Sequence, residues 1–113
     1  HIRFVDDVQN YPIFKEGKKV RNDQMYAPAG TNVNFVEKLS ADEIFVRTYE
    51  RGVEDETLSC GTGVTAAAIA FGKELPAATI KIQTLGGQLS VKFNASENGA
   101  FKEVWLIKIL ILP

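Results

Sequence analysis

The chain has one cysteine, one histidine and almost no net charge. A lone thiol cannot close a disulfide within the chain or build a cysteine-cluster metal site, and it suits a reducing compartment. With a formal net charge of -1 over 113 residues, no strong field recruits nucleic acid or an anionic membrane, so neither is expected as a partner. Long hydrophobic runs are also missing. The most apolar stretch, VWLIKILILP, is about ten residues and too short to span a bilayer. No signal peptide, internal repeat or low-complexity tract is visible. An initiator Met is missing too, since His1 opens straight into IRFVDD. The expectation is a chain that begins inside a longer protein.

What is present, a chain 45% hydrophobic, suits one small domain with a modest core. Ile2 to Val5 reads as a short strand closed by Asp6-Asp7. Residues 9–30, with Pro12, Gly17, Pro28 and Gly30 among mixed charges, read as a loop with room for one helical turn. NVNFVEKL (32–39) is strand-like. In IFVRTYE (44–50), Phe45, Arg47 and Tyr49 share one face while Ile44, Val46 and Thr48 share the other, and neither face is purely apolar. Residues 62–74 differ, because Val64, Ala66, Ala67, Ala68, Ile69, Ala70 and Phe71 leave almost no polar face. A helix apolar all round belongs in an interior. Gly72 and Pro76 end it. ATIKIQT (78–84) and QLSVKF (88–93) alternate around a turn at Gly86-Gly87, with Leu89, Val91 and Phe93 inward. NASENG (94–99) is a further turn, and Phe101 to Leu112 gives a last strand. The expected fold is α+β, a mostly antiparallel sheet wrapped on one buried helix.

The thiol, Cys60, stands directly before Gly61-Thr62-Gly63 at the mouth of that helix. A helix N-terminus leaves backbone N–H groups unpaired and carries partial positive charge, so it suits a carboxylate or phosphate and favours a thiolate. Cys60 is therefore a candidate nucleophile or proton-transfer base. The plainer alternative is a small buried apolar side chain at a helix entry. Three familiar patterns are excluded. A phosphatase loop needs Arg where Ala66 stands, a P-loop needs Gly where Ala67 stands, and a papain-like protease carries a different segment around its thiol. Upstream, Glu50 and Arg51 end a strand, and the loop VEDETLS leads to the thiol. Arg can bind a carboxylate in two-pronged fashion and Glu can accept from an amine; an exposed ion pair is the plainer alternative. Asn32 and Asn34 alternate around Val33 on one strand face, as edge-strand amides or as ligand contacts.

YERGVEDETLSCGTG resembles the signature of the diaminopimelate epimerases, within the cofactor-independent amino-acid epimerases and racemases. TNVNFVE is similar to that family's Asn-Val strand. HIRFVDDV is similar to the family segment directly after Gly-Asn-Pro, with His1 as the last residue of the Gly-Asn-Pro-His motif. LGGQLSV and VWLI are family-like as well, and the order is the family's along nearly the whole chain. The resemblance implies two similar halves facing each other across a cleft, each a barrel-like antiparallel sheet around a central helix. This chain would be the C-terminal half, a catalytic domain over residues 1–113 truncated at both ends. It implies an isomerase without pyridoxal, metal or other cofactor, which interconverts L,L- and meso-diaminopimelate in lysine and peptidoglycan precursor biosynthesis in the cytoplasm. One cysteine removes the α-proton and another delivers a proton to the opposite face. By position Cys60 is acceptor or donor, His1 its basic partner, and Glu50 faces the other half's cysteine and the substrate amine. Asn32 and Arg51 would hold the distal end of the substrate, and Gly61 and Thr62 would bind the reacting carboxylate through backbone N–H groups.

The first half, with its own cysteine, has no counterpart here, and the family's continuation after WLI is replaced by KILILP, with Lys108 where the family has glycine. The chain alone is therefore expected to be inactive, to need that half as a partner, and to be marginally stable with exposed edges that leave room for a homodimer. Two alternatives stand beside this reading: a proline or hydroxyproline racemase-like enzyme, and a non-catalytic scaffold of the same fold.

Overall fold

The structure is a computed structural model describing residues 1–58, 61–72, 77–95 and 101–109. Among the described residues, seven strands and two α-helices succeed one another as β1 (Ile2–Phe4), α1 (Ile13–Arg21), β2 (Val33–Ser40), β3 (Glu43–Glu50), β4 (Asp55–Thr57), α2 (Gly61–Gly72), β5 (Ala77–Thr84), β6 (Gly87–Ala95) and β7 (Phe101–Ile109). One mixed sheet takes the order β1-β2-β3-β5-β6-β7, with β4 also paired to β3. The β1–β2 and β3–β5 pairs are parallel and the others antiparallel. β3 divides one edge between two neighbours: Glu43, Ile44 and Phe45 pair with β5, while Thr48, Tyr49 and Glu50 pair with β4. The β5–β6 hairpin turns at Leu85-Gly86, one residue earlier than the glycine pair suggests. The α+β class stands. Among the described residues the sheet is an open path with β1 and β7 at its ends, so closure into a barrel is not what these strands form.

The alternation in β2 and β3 makes two interiors. Val36, Ile44 and Val46 pack with Val64, Ala67 and Ala68 of α2 and with Ile80, Ile82, Leu89 and Val91. On the opposite face Val33, Phe35 and Tyr49 pack with Val8 and with Ile13 and Val20 of α1. Both faces of IFVRTYE therefore carry apolar side chains, each covered by its own helix, with Arg47 and Thr48 as the polar members that keep either face from being purely apolar.

Three expectations differ from the structure. Residues 9–30 are not a loop with a single turn, since α1 occupies Ile13–Arg21 and a 3-10 turn comes after it at Gln24–Tyr26. α1 buries Ile13, Gly17 and Val20, a helical stripe, and exposes Lys15, Lys18 and Lys19; basic residues fill its last turn, where the helix dipole favours them. Its short length, with Pro12 before it and Gly17 within, hides the pattern. The segment VEDETLS likewise holds the strand β4, three residues that exist by pairing to β3. α2 is also less enclosed than its composition implies. Val64, Ala67 and Ala68 are buried, but Ala66 is exposed and Ile69, Ala70 and Phe71 are half-buried. An open sheet covers only one side of it. The expectations for Cys60, Pro76, Phe93 as an inward side chain, most of the 94–99 turn and the end of the last strand lie outside the described residues or side chains.

Gly17 sits where α1 crosses β3, and a Cβ there would run into the ring and Cβ of Tyr49, which is 1% exposed. Gly→Ala in a helix ordinarily stabilises by about 1 kcal/mol. Here the overpacking reverses the sign: Gly17→Ala is expected to lower unfolding free energy by about 1–2 kcal/mol in urea titration, and a gain in stability contradicts the close crossing.

Candidate active site

A hollow of about 290 Å³ opens where the start of β1, residues 30–32 and 34, Arg51 and the first turns of α2 meet. It gathers four of the residues singled out from sequence, His1, Asn32, Asn34 and Arg51. Each is held by a local reason. The His1 backbone nitrogen donates to the Asn32 carbonyl at 3.0 Å. The His1 ring has Nδ1 2.8 Å from the Tyr26 hydroxyl, with the two rings edge-on at 5.8 Å. With Nδ1 engaged, Nε2 is the nitrogen left for a further partner. The Asn32 side-chain oxygen accepts from the Arg51 backbone N–H at 2.8 Å. Arg51 Nη1 donates to the carbonyls of Ala29 and Gly30 at 3.2 and 3.3 Å. Among the described residues no carboxylate pairs with Arg51. An exposed guanidinium anchored by carbonyls at one nitrogen keeps donors for an incoming carboxylate.

Glu50 closes β3, half-buried, one residue before Arg51. Its carboxylate has no hydrogen-bond partner among the described residues, and it does not line the hollow. Gly61 and Thr62 form the first turn of α2, and Gly63 lines the hollow one residue on. Cys60, the residue immediately before α2, lies outside the described residues. Among the described residues no cluster of His, Cys, Asp and Glu could hold a metal ion. A larger hollow of about 480 Å³ lies at the β5–β6 turn, lined by residues 83–88, and gathers none of the candidates.

Sequence reasoning misses the role of Asn34. Its side chain is 3% exposed, accepts from Thr48 Oγ1 at 2.8 Å and donates to the His1 carbonyl at 3.3 Å, while its backbone N–H donates to the same carbonyl at 2.8 Å. A Cβ on Gly63 would overlap its Oδ1. Asn34 thus fixes how α2 enters the hollow. The available signal is an Asn in mid-strand facing a glycine at the start of an alanine-rich helix.

Behind Arg51 stands a charged knot. The Glu54 carboxylate accepts from Arg21 Nε at 2.9 and 3.0 Å, from the Gly52 N–H at 3.0 Å and from the Tyr49 hydroxyl at 3.2 Å. The Gly52 N–H, and after it Arg21, hold the Glu54 carboxyl below the ordinary carboxylate range. Burial, and then Glu54 itself, push the Tyr49 hydroxyl up.

Residues 1–103 match the family profile described as diaminopimelate epimerase. The chain is 48% identical over 109 residues to the diaminopimelate epimerase of Flavobacterium psychrophilum, covering 94% of this chain and 42% of that protein. It is 57% identical over 65 residues to that of Aquifex aeolicus, covering 58% of this chain and 23% of that one. Among solved structures, a phenazine biosynthesis protein of the PhzF family from Bacillus anthracis superposes with a TM-score of 0.59 at 21% identity, over 91% of this chain and 32% of that one. A probable proline racemase from Agrobacterium radiobacter superposes with a TM-score of 0.58 at 12% identity, over 93% and 37%. These two show the fold alone, an α+β arrangement of the kind seen in both of those proteins. The family rests on the sequence matches: the chain belongs to the diaminopimelate epimerases, and it spans less than half the length of these curated relatives.

A depressed folded-state pKa gives stabilisation that is present above the unfolded value and lost as pH falls through the folded one. The wild-type chain is therefore expected to exceed Glu54→Gln in stability at neutral pH, with the gap closing in acid as pH falls through and below the ordinary carboxylate range. A gap constant down to the acid unfolding limit would contradict the pairing of Glu54; paired urea titrations at stepped pH give the measurement.

Proposed function

We propose that this chain is the C-terminal half of a diaminopimelate epimerase, interconverting L,L- and meso-diaminopimelate together with a first half that carries a second cysteine. The observation that carries the proposal is the Arg51 guanidinium, without a carboxylate partner among the described residues, at the rim of a hollow reached by the start of α2. Such an arrangement suits a substrate with a carboxylate at each end. Asn32 and Arg51 take the distal end. The backbone N–H groups of Gly61 and Thr62 take the reacting carboxylate and stabilise the charge that develops on it.

In this reading Cys60 and the other half's cysteine stand on opposite faces of the α-carbon. One, as thiolate, accepts the α-proton; the other, as thiol, delivers a proton to the far face. One proton leaves and one arrives, so the two sulfurs exchange protonation states in each turnover. His1, with Nδ1 held by Tyr26, presents Nε2 to tune Cys60, and Glu50 serves the substrate amine and the facing cysteine. Closing two halves over the hollow would exclude water and strengthen these electrostatics. It would also cover the exposed side of α2, completing the barrel-like enclosure that the open sheet begins. Lysine and peptidoglycan precursor biosynthesis in the cytoplasm is the setting that fits this reaction, and the reaction needs no cofactor. Arg51 and Asn32 favour a diamino diacid over proline, which has no distal end to clamp.

The test is α-proton exchange. L,L-diaminopimelate in D2O is followed by NMR with this chain, with this chain plus the first half of the Flavobacterium psychrophilum enzyme in trans, and with Cys60→Ala in the same mixture. Deuterium incorporation is expected only in the mixture with intact Cys60. Exchange by the chain alone, or exchange that survives Cys60→Ala, would contradict the two-cysteine reading. Exchange of proline instead of diaminopimelate would move the assignment to the racemases.

A further inference from the structure

We propose that Glu54, Arg21 and Tyr49 form a clamp that positions the substrate-facing loop carrying Arg51, and so set affinity for the distal end of the substrate; this rests on the function proposed above. None of the three lines the hollow. Arg51 has two anchors, its backbone N–H on Asn32 Oδ1 and its Nη1 on the carbonyls of Ala29 and Gly30. Both anchors belong to segments that meet at Arg21. On one side the Arg21 guanidinium, on a side chain 20% exposed, grips both oxygens of Glu54, three residues beyond Arg51. On the other it lies so close to Gly30 that a Cβ there would collide with it. Arg21 is thus the plate between the 29–32 segment and the 51–54 turn.

Glu54 is the other half of the device. It is the described non-glycine residue with a positive φ, 58°, a left-handed conformation that is strained for a residue carrying a Cβ. A glycine there would relieve that strain and lose the carboxylate, which accepts from Arg21, Tyr49 and Gly52 together. Tyr49 is itself a core residue, 1% exposed and packed over α1 at Gly17. The chain of contact therefore runs from the α1-side interior, through Tyr49 and Arg21, to Glu54 and the turn, and from there to Arg51. The network places a charge-assisted bracket behind the residue that meets the substrate.

Two readouts test this. In the 15N-labelled chain, Glu54→Gln is expected to speed exchange of the Arg51 amide about tenfold while the amides of β5 and β6 keep their protection, because local opening frees that N–H from Asn32. Arg21→Gln should do the same, and the double variant should be no worse than either single one. An Arg51 amide whose exchange is unchanged in both variants overturns the clamp. In the mixture with the relative's first half, Glu54→Gln should raise KM for L,L-diaminopimelate about tenfold with kcat nearly unchanged, and Glu54→Asp should recover part of it. A fall in kcat at constant KM overturns the positioning role. If the wild-type mixture shows no turnover at all, it is the epimerase reading that fails, and the amide exchange alone decides the clamp.

Discussion

One buried carboxamide sets the geometry of the site. Asn34 sits on the α2-facing side of β2 and holds the His1 carbonyl, the Thr48 hydroxyl and the approach of Gly63 at once. A buried amide left without partners costs about 1–3 kcal/mol per group, so the arrangement in which each partner is made is strongly preferred over its neighbours. Through it the start of β1, the end of β3 and the entry of α2 become one rigid corner. The N–H groups at the α2 mouth are useful to a ligand only if they point at a fixed place, and this corner fixes them. Alanines on the rest of the helix let it lie close to β2, β3 and β5, and Gly63 allows the last step of that approach.

The other wall of the site is built from the opposite side of the sheet. Arg47 donates to Glu56 through two nitrogens at 2.6 Å each and to the carbonyls of Val8 and Gln9 at 2.9 Å. That pair, half-shielded from water, joins β3, β4 and the segment after β1. A shielded ion pair adds little net stability, since desolvation offsets attraction. Its directional bonds instead hold β4 in register beside β3, so the turn between them, which carries Arg51, starts and ends at fixed points. The sheet thus carries α2 on one face and α1 on the other.

Much of this is legible in the chain itself. The two-residue alternation of Ile44 to Tyr49, of Ile80 and Ile82, and of Leu89 and Val91 marks strands, and the alanine-rich run after Cys60 marks α2. Motif and spacing single out His1, Asn32 and Arg51, and these three line one hollow. What stays hidden depends on tertiary partners. α1 carries a glycine that weakens its helical signal and is required by Tyr49 beneath it. β4 is a polar three-residue segment whose strand character comes entirely from β3. The open side of α2 reflects an unclosed sheet, which local composition cannot report. In sequence Glu54 is one more acid in a charged loop, and only the fold brings Arg21 to it from thirty-three residues away.

The measurement that bears most directly on the Asn34 corner is a double-mutant cycle on unfolding free energy. Gly63→Ala should destabilise because its methyl meets the Asn34 carboxamide, and Asn34→Ala because it strands the buried Thr48 hydroxyl and removes the side-chain bond to the His1 carbonyl. Combined, the second substitution removes the obstacle created by the first. The double variant is therefore expected to be more stable than the sum of the singles by about 1 kcal/mol or more. Additivity within about 0.5 kcal/mol would mean that Asn34 and Gly63 do not meet, and that α2 is held at its entry by something else.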